Sequence, residues 1–598
     1  MSGESVHEIF SITKQTMTPF SACRRRLVLS AACLLFLTSV VNVSAFSENR
    51  NPPVSCQLSQ KDLMAVNQAI QATKQAAGNI TAAFEACNRW NQVLMDKDPS
   101  KDIPQSIRAM CYPLQASCLV RTGQDEEAIQ VYDKAMQLKD FLNEDTREDV
   151  ILGKAYSFQR LMKYDEAREQ FQLSNSSKAA RGAATCALRL GDIDAALVLL
   201  ERQSERDLET TAMLATIQYL MSAEPSLEES NLALLKEAGT LVPLYRWIHI
   251  ALSKGKTSSK NDAVPHTSPL DLAALNTGAF DDPHLMQLDD KVLLHKLLRT
   301  SSLSSSLSSA PTCEAFWPPG LILPAESATL SQSTRLENGR WVCKKRAGYG
   351  SHGNDIADTQ DAIKLSKSMD TGALQDELLL QRMIEPCLLL QGYKFSLRIY
   401  VVYFGASMAS STYPPDVFIS TQGLVKLAAR PFDDQSSSLD LGMHMTNSGR
   451  EAGALQEDLQ FLRREFSQAG WSYSELWNDI TGAVRNVMRI YDEKTRSMVN
   501  QGDETIPSRS HVASLGLPKI LGFDFIVDET RNVWLLEVNR FPGMEARDSK
   551  DASVKLQVIR DAWQMAGRRI GCDNDSWLKA TLSDIDCSDA TSLEQIDF

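Results

Sequence analysis

From Cys56 to about Ile250, apolar residues recur at three- and four-residue steps within stretches rich in Ala, Leu, Gln, Glu and Lys. That is the periodicity of amphipathic helices. Pro and Gly fall mostly between these stretches, so the pattern predicts a succession of helices over 56–250. The periodicity fades after Lys254. Residues 254–260 are short, basic and polar, and Ser301–Ser309 is a Ser/Leu low-complexity run. The region 255–311 therefore reads as a Ser-rich linker, with one or two helices within Ser268–Leu298. Past about 312 the pattern changes to short apolar runs separated by Gly-rich turns, which predicts strands. The expected organisation is an α-helical region followed by an α+β module over 312–570, with a C-terminal tail at 571–598.

Within the helical region a unit recurs. Gly123-Gln-Asp-Glu-Glu-Ala128-Ile-Gln-Val-Tyr132 is one copy, Lys163-Tyr-Asp-Glu-Ala167-Arg-Glu-Gln-Phe171 a second, and Gly191-Asp-Ile-Asp-Ala-Ala196-Leu-Val-Leu-Leu200 a third. The keyed alanines stand 39 and 29 residues apart. The unit resembles the tetratricopeptide repeat, in which small residues let paired helices approach and an aromatic or Leu four residues on fills the groove. The resemblance implies a solenoid whose concave face holds a peptide or protein partner. Ala155 and Phe158 are the expected small and aromatic positions on the first helix of the second copy. The spacing is uneven and the usual closing proline is missing, so an irregular α-helical bundle also accounts for the pattern.

The N-terminus carries an address or an anchor. Arg24, Arg25 and Arg26 precede a predominantly apolar run, Leu27–Val41, 15 residues long. A bilayer-spanning helix needs about 20, so the run has the length of a signal-peptide core. Val43 and Ala45 suit the small positions of a cleavage site before Phe46. The long stretch ahead of the arginines equally fits an uncleaved anchor or a start at Met17. Ser44-Ala45-Phe46 also resembles the bipartite plastid presequences of algae with secondary plastids. Residues 1–45 are thus expected to be a signal peptide or signal-anchor. The destinations open are an endomembrane or secretory lumen, a membrane-anchored position, or a plastid.

Composition narrows the function classes. The chain has 598 residues, 62 basic and 75 acidic, for a net charge of −13. That balance argues against broad nucleic-acid binding. Hydrophobic residues make up 43%, enough for real cores, which excludes a wholly disordered chain. None of the twelve cysteines forms a CxxC pair, so a structural zinc site is not expected. Several cysteines sit within helical patterns as small buried hydrophobes, and Cys572 could pair with Cys587 in an oxidising lumen.

Three blocks of the α+β module carry candidate chemistry. Arg340-Trp-Val-Cys-Lys344 is a strand ending in a lysine, and it runs into a loop containing Gly348, Gly350 and Gly353. Glycine-rich backbone can approach phosphate oxygens, and the lysine adds a point charge; a plain hairpin turn fits the loop as well. Leu378–Gln381 is an apolar strand that leads through Glu385-Pro386 to Tyr393–Val402. Lys394 and Arg398 lie an even number of residues apart, on one face of that strand. Two cations with no nearby acid call for an anion such as phosphate or carboxylate, unless the strand is a solvated edge. Gly522–Asn539 reads as a hairpin with Asp524 on one strand and Glu537 and Asn539 on the other. Three hard oxygen donors converging there suit Mg²⁺; a structural salt bridge is the competing explanation.

Together these blocks resemble the tubulin-tyrosine-ligase-like family, whose fold is ATP-grasp. The order matches as well: Phe316–Glu326, the tryptophan strand ending in Lys344, the Gly-rich loop, Gln381 through Arg398, Gly423-Leu-Val-Lys426, His444-Met-Thr446-Asn447, and the Gly522–Asn539 hairpin. The resemblance implies an enzyme that uses ATP and Mg²⁺ to join an amino acid to a protein carboxylate through an acyl phosphate, by tyrosination, glutamylation or glycylation. It implies that Lys344, the Gly348–Gly353 loop, Gln381 and Lys394 bind ATP. Arg398 is implied to stabilise the transferred phosphoryl group, with Lys426 beside it, and Asp524, Glu537 and Asn539 to hold Mg²⁺. Implied partners are a free amino acid, an acceptor protein (tubulin or another with an accessible carboxylate) and a protein on the helical repeats. A cytoplasmic site at the cytoskeleton joins the possible locations. Two positions depart from the family pattern: its Lys-Phe-Asp-Leu-Arg has Ser396 here, and its Gly-Leu-Val-Arg has Lys426. A non-catalytic helical-repeat adaptor with a degenerate ligase domain is the alternative.

Overall fold

In the computed structural model the described residues are 60–76, 80–94, 103–221, 229–252, 280, 282–304, 315–332, 339–347, 354–370, 377–405, 416–433, 441–446, 455–500, 517–544, 548–569 and 593–596. The first 59 residues, and with them the expected signal or anchor, lie outside this set, as do the Gly348–Gly353 loop and the Cys572 and Cys587 pair. No helix among the described residues is long and apolar enough to cross a membrane.

Among the described residues, eleven helices lie in the N-terminal region: α1 Gln60–Gln75, α2 Ile80–Leu94, α3 Gln105–Arg121, α4 Asp125–Gln137, α5 Glu144–Arg160, α6 Tyr164–Phe171, α7 Ser177–Arg189, α8 Ile193–Glu201, α9 Leu208–Met221, α10 Glu229–Ala238 and α11 Pro243–Leu252. Their starts follow ordinary capping chemistry. The Asn143 side chain accepts from the Thr146 N–H at 2.8 Å, and Asp192 accepts from Ala195 N–H at 2.9 Å, each satisfying an orphan donor. The repeat seen in the sequence corresponds to a repeated turn. Gly123, Met162 and Gly191 all adopt positive φ just before α4, α6 and α8. Two of the three are glycine, which takes that conformation without a steric cost.

The keyed alanines 128, 167 and 196 are fully buried. The residues four further on, Tyr132, Phe171 and Leu200, are buried with them. The small partner of Tyr132 is Gly153, where an added Cβ would lie 2.5 Å from the Tyr132 hydroxyl. Gly182 stands in the same relation to Phe171. Gly153, two residues before the expected Ala155, thus admits the ring; Ala155 is buried, and Phe158 is half-buried under the Lys154 ammonium.

By internal contact the chain resolves into two units. One comprises 1–183 with 205–209 and 236–246; the other comprises 184–204, 210–235 and 247–598. The first has a core of its own along α1–α5, built on Ala69, Ala83, Ala86, Trp90, Ala109, Leu119 and Ala128.

The second unit begins its α+β portion earlier than the composition suggests. Residues 283–304, expected within a linker, form a 3-10 turn at Pro283–Leu285 and helices α12 Met286–Asp289 and α13 Lys291–Ser304. Leu285, Leu288, Val292, Leu294, Leu297 and Leu298 are buried in the main core. Asp290 accepts from the N–H groups of Val292 and Leu293 at 2.9 and 3.1 Å, starting α13. The helices expected within Ser268–Leu298 thus belong to the folded unit and not to a linker.

Two antiparallel sheets follow. The four-stranded one has the order β1 (Gly320–Leu323), β4 (Leu378–Arg382), β2 (Arg340–Lys345), β3 (Asn354–Asp358), with α14 Ser327–Gln332 and α15 Thr359–Asp370 packed on it. The larger one runs β10 (Val533–Asn539), β9 (Lys519–Val527), β6 (Tyr393–Phe404), β7 (Asp416–Leu427), β11 (Leu593–Ile596). The short β5 (Leu389–Leu390) pairs with β6, and β8 (Gln456–Asp458) with β7. Helices α16 Leu441–His444, α17 Leu459–Gln468, α18 Tyr473–Asn500 and α19 Ser549–Arg569 complete the unit.

β6 is the organising strand. Its odd positions Phe395, Leu397, Ile399, Val401 and Tyr403 share a core with α13, α17 and α18. Its even positions Tyr400, Val402 and Phe404 share one with Val554, Val558, Ile559 and Trp563 of α19. The even face is apolar toward its C-terminal end and carries Lys394, Ser396 and Arg398 at the other. A period of two thus turns one strand into half a core and half a polar site.

Two glycines test the packing with opposite signs. Gly153→Ala drives a methyl group into Tyr132 and is expected to lower stability by about 1–3 kcal/mol. Gly482→Ala, in α18 with nothing within 4 Å of the new methyl, is expected to raise it by about 0.5–1 kcal/mol. Urea unfolding of the full chain followed by circular dichroism measures both.

Candidate active site

The site is assembled on the even face of β6 and its neighbours. In the ladder Arg398 stands opposite Asp524, and Asp524 opposite Glu537. Ser396 stands opposite Lys426. Directly opposed residues project to the same side, so Lys426, Ser396, Arg398, Asp524 and Glu537 form one row across four strands. Asn539, two residues beyond Glu537, is on the same face opposite Gly522.

Arg398 and Asp524 form the centre. The guanidinium grips both carboxylate oxygens, Nε on Oδ1 and Nη2 on Oδ2 at 2.7 Å. Lys426 Nζ adds a second cation 3.4 Å from each oxygen. All three side chains are buried. Burial alone pushes the Asp524 carboxyl up, but Arg398 and Lys426 outweigh it and hold the pKa down at about 2. Burial likewise pulls Arg398 down, and the Asp524 charge more than reverses this, leaving the guanidinium more basic than usual. Gly522 makes room for the pair, since a Cβ there would lie 3.0 Å from Arg398 Cδ and from Pro542 Cβ.

Lys344 enters from β2. Its ammonium donates to Gln381 Oε1 at 2.7 Å and to the Leu536 carbonyl at 2.8 Å. Leu536 is the extra residue of a β-bulge between Leu535 and Glu537; a bulge leaves a residue outside the ladder, and here its carbonyl accepts from the lysine. Burial lowers the Lys344 pKa to about 8, with Glu537 opposing the shift. Gln381 is itself buried and donates to the Pro318 carbonyl at 3.3 Å. Its side chain positions the lysine.

Lys394, expected to need an external anion, meets one within the chain. Its ammonium donates to Glu385 at 3.0 Å, lies 2.9 Å from His444 Nδ1 and sits over the Phe432 ring at 4.5 Å. Arg340 donates to the same Glu385 carboxylate at 2.9 Å and approaches His444 Nε2 at 3.1 Å. The acids that satisfy Lys394 and Arg398 come from other segments of the chain, and spacing along β6 could not reveal them.

A further cation, Lys291, arrives from the start of α13, 3.6 Å from Glu537. It is buried, and its Asp290 neighbour is paired with Arg346 at 2.8 Å. Sequence reading missed Lys291 because it lies in the expected linker. The available signal was Asp290 as a helix cap ahead of an apolar run.

Of the expected Mg²⁺ ligands, the structure joins two. Asn539 Nδ2 donates to Glu537 at 3.3 Å and to the Gly522 carbonyl at 3.5 Å. Asp524 faces Glu537 across the ladder, but Arg398 and Lys426 hold its oxygens. Among the described residues no group of three His, Cys, Asp or Glu side chains gathers to hold a metal. A carboxylate and an amide side by side fit Mg²⁺, which takes few protein ligands and completes its shell with phosphate oxygens and water.

The model of the tubulin-tyrosine ligase family matches residues 283–570, a span that starts at the 3-10 turn ahead of α12. These residues form a tubulin-tyrosine ligase family domain. Among curated proteins, human tubulin monoglutamylase TTLL4 is 27% identical over 266 residues, covering 42% of this chain and 20% of that protein. Human tubulin polyglutamylase TTLL7 is 25% identical over 288 residues, 45% of this chain and 30% of that protein. Tubulin polyglutamylase ttll-5 of Caenorhabditis elegans is 28% identical over 217 residues, 34% of this chain and 28% of that protein. The chain therefore spans less than a third of the length of these relatives.

Asp524→Asn leaves the Arg398 guanidinium buried without its counter-charge. The expected loss is about 3–5 kcal/mol. Replacing all three charges together, Arg398→Met, Lys426→Met and Asp524→Leu, is expected to recover most of it. Denaturant unfolding of the single and triple variants reads the difference.

Proposed function

We propose that the chain is an ATP-dependent carboxylate–amine ligase that adds an amino acid, glutamate in the first place, to an acidic protein tail of the tubulin kind. The observation that carries this reading is the row Lys426–Arg398–Asp524–Glu537 with Lys344 entering above it, in a tubulin-tyrosine ligase family domain. The three relatives named above are tubulin mono- or polyglutamylases, which supports glutamate and tubulin as donor and acceptor.

Charge explains what the row can do. Lys344, Lys426, Arg398 and Lys291 bring four cations to Asp524 and Glu537. A face with an excess of buried positive charge is stabilised by phosphate oxygens and carboxylates. Lys344 and Lys291 are the phosphate-facing cations, Glu537 and Asn539 the residues that would hold Mg²⁺. ATP supplies the phosphoryl group that activates the acceptor carboxylate as an acyl phosphate, and Mg²⁺ offsets the negative charge that gathers during transfer. Arg398 is held rigid by Asp524, so its remaining donors are preorganised toward developing negative charge. Fixed cations in a dry site stabilise such charge without reorganising. Lys426 is a single point charge beside that position, and it orients a carboxylate less strictly than a two-pronged guanidinium.

The helical region suits a further part of the proposal. A tetratricopeptide-like array there recruits the acceptor protein to the ligase. The overall charge of −13 makes such recruitment more important, because long-range attraction to an acidic tail is absent. Delivery to a lumen, a membrane or a plastid by residues 1–45 would remove the chain from cytosolic tubulin. A C-terminal fluorescent fusion reads that choice directly.

Purified chain incubated with ATP, Mg²⁺, labelled glutamate and tubulin is expected to transfer label. Glu537→Gln is expected to reduce transfer by at least about 100-fold with unchanged circular dichroism. Absence of both ATP binding and turnover in the wild type would leave the adaptor reading. Lys344 also sets a pH dependence. The free site loses its proton near pH 8, while bound phosphate favours the protonated lysine. ATP binding therefore takes up a proton above pH 8, and affinity is expected to fall toward tenfold per pH unit there. Calorimetric titration should show this slope in the wild type and its loss in Lys344→Met.

A further inference from the structure

The strand at one edge of the large sheet comes from outside the family domain. The family match ends at residue 570, yet Leu593–Ile596 forms β11 and pairs antiparallel with β7, Leu593 opposite Ser420 and Ile596 opposite Val417. One side of β7 is taken by β6. The other side is shared, with β8 beside Leu424–Lys426 and β11 beside Val417–Ser420. The division falls where the β6–β7 ladder shifts register between Ile399 and Val401, opposite Gly423 and Ile419. A bulge of this kind bends a strand, and it splits the edge of β7 into two short segments. Among the described residues of 283–570, no strand pairs with 417–420 on that side.

The segment 417–420 is a fixed template. Val417 and Ile419 are buried in the main core, and Phe418 in the second core with Val558 and Trp563 of α19. With its side chains packed, what it offers a newcomer is a row of main-chain N–H and C=O groups. Such a row pairs with any extended segment that reaches it. A four-residue strand supplies few of these bonds. β11 is joined to α19 through residues 570–592, and a strand tethered in cis competes at an effective concentration on the order of millimolar. Its hold is therefore connectivity more than intrinsic affinity, and a strand from another chain can replace it.

The seated strand shows what kind of segment fits. Residues 580–598 include Asp584, Asp586, Asp589, Glu594 and Asp597 and no Lys or Arg. That is the acidic character proposed above for the acceptor. The antiparallel register also sets a direction. It turns the N-terminal side of a docked strand toward Lys426, about 20 Å further along β7 from Ser420.

We propose that Val417–Ser420 of β7 is a strand-addition site for an extended acidic segment of the acceptor protein, and that β11 occupies it in cis as a competitor. The acceptor's identity rests on the ligase reading; the strand exchange does not. An acceptor segment that displaces β11 is anchored by main-chain hydrogen bonds, and the residues preceding it are directed along β7 to the site.

The full chain is compared with a chain ending at Ser592 by hydrogen-exchange mass spectrometry. Fluorescence polarisation measures binding of two labelled peptides, residues 583–598 and a tubulin tail. The amides of 417–420 are expected to be protected in the full chain, to exchange faster in the shortened one, and to regain protection when either peptide is added. Both peptides are expected to bind the shortened chain at least about tenfold more tightly than the full chain. Should shortening unfold the domain by circular dichroism, the full chain carrying Glu594→Pro and Gln595→Pro replaces it. Neighbouring strand residues point their N–H groups in opposite directions, so one of the two prolines removes a donor to β7. Equal protection of 417–420 with and without β11 would overturn the proposal, as would equal peptide binding by the two chains. Binding lost on shortening would also overturn it, because the peptide would then sit outside β11. Binding of the 583–598 peptide without the tubulin tail overturns the acceptor assignment. ATP binding by the same preparations is a separate readout: its absence sinks the ligase reading and leaves the strand exchange standing.

Discussion

Everything at the candidate site leans on the Arg398–Asp524 pair. Both groups are buried in the middle of the large sheet, on β6 and β9. Removing two charges from water is expensive, and the attraction between them offsets that cost only with good geometry. Here the geometry is two-pronged, with Lys426 as a second counter-charge. The pair also constrains its surroundings. It requires the register that puts Arg398 opposite Asp524, because a slip of one residue would turn every site residue toward the core face. It requires Gly522, whose missing side chain leaves the space the arginine occupies. It leaves Glu537, next in the row, without an arginine of its own.

That division of charge governs the chemistry. Asp524 is saturated by cations, whereas Glu537 keeps a longer contact with Lys291 and a hydrogen bond from Asn539. Of the two carboxylates, Glu537 is the one left able to meet a divalent ion. The same arrangement makes Arg398 a fixed dipole and not a mobile arm. A cation that is already oriented stabilises a transition state without first paying an ordering cost. Lys344 is treated alike: Gln381 and the bulged Leu536 carbonyl hold it in a pose where burial lowers its proton affinity. A bound phosphate would restore that affinity, so the lysine is primed for an anion.

The parts of this arrangement that were legible from sequence are those set by short-range periodicity. Even spacing put Lys394 and Arg398 on one face of their strand, and Glu537 and Asn539 on one face of theirs, because strand geometry depends only on adjacent residues. The repeat of Ala128, Ala167 and Ala196 was legible for the same reason, since each belongs to one helix turn. What was hidden depends on pairings between distant segments. Glu385 as the partner of Lys394, Asp524 as that of Arg398 and Gln381 as the holder of Lys344 require knowing which strands become neighbours. Gly153 as the seat of Tyr132 requires knowing which turn of α5 faces α4. Lys291 was obscured differently: it lies on a helix expected within Ser268–Leu298 but assigned to a linker, so its side chain was not weighed for the site.

The two departures from the family pattern, Ser396 and Lys426, are better understood as one. They are directly opposed in the β6–β7 ladder, on the site face. The family pattern has an acid and an arginine at these positions, a natural cross-strand ion pair. Here the acid is replaced by a hydroxyl, which turns to Thr446 at 2.6 Å. The arginine is replaced by a lysine, which has lost its partner across the ladder and reaches Asp524 instead. Either change alone would leave a buried charge uncompensated: serine beside an arginine would strand the guanidinium, and aspartate beside the Lys426–Asp524 contact would crowd a second acid onto one ammonium. Together they preserve the charge balance of the row while drawing its positive charge toward Asp524. A site compensated in this way keeps its cations ordered around Asp524 and Glu537. It is also altered at the one place where a guanidinium fork would grip a carboxylate, while Arg398, Lys344 and Glu537 stand outside the exchange.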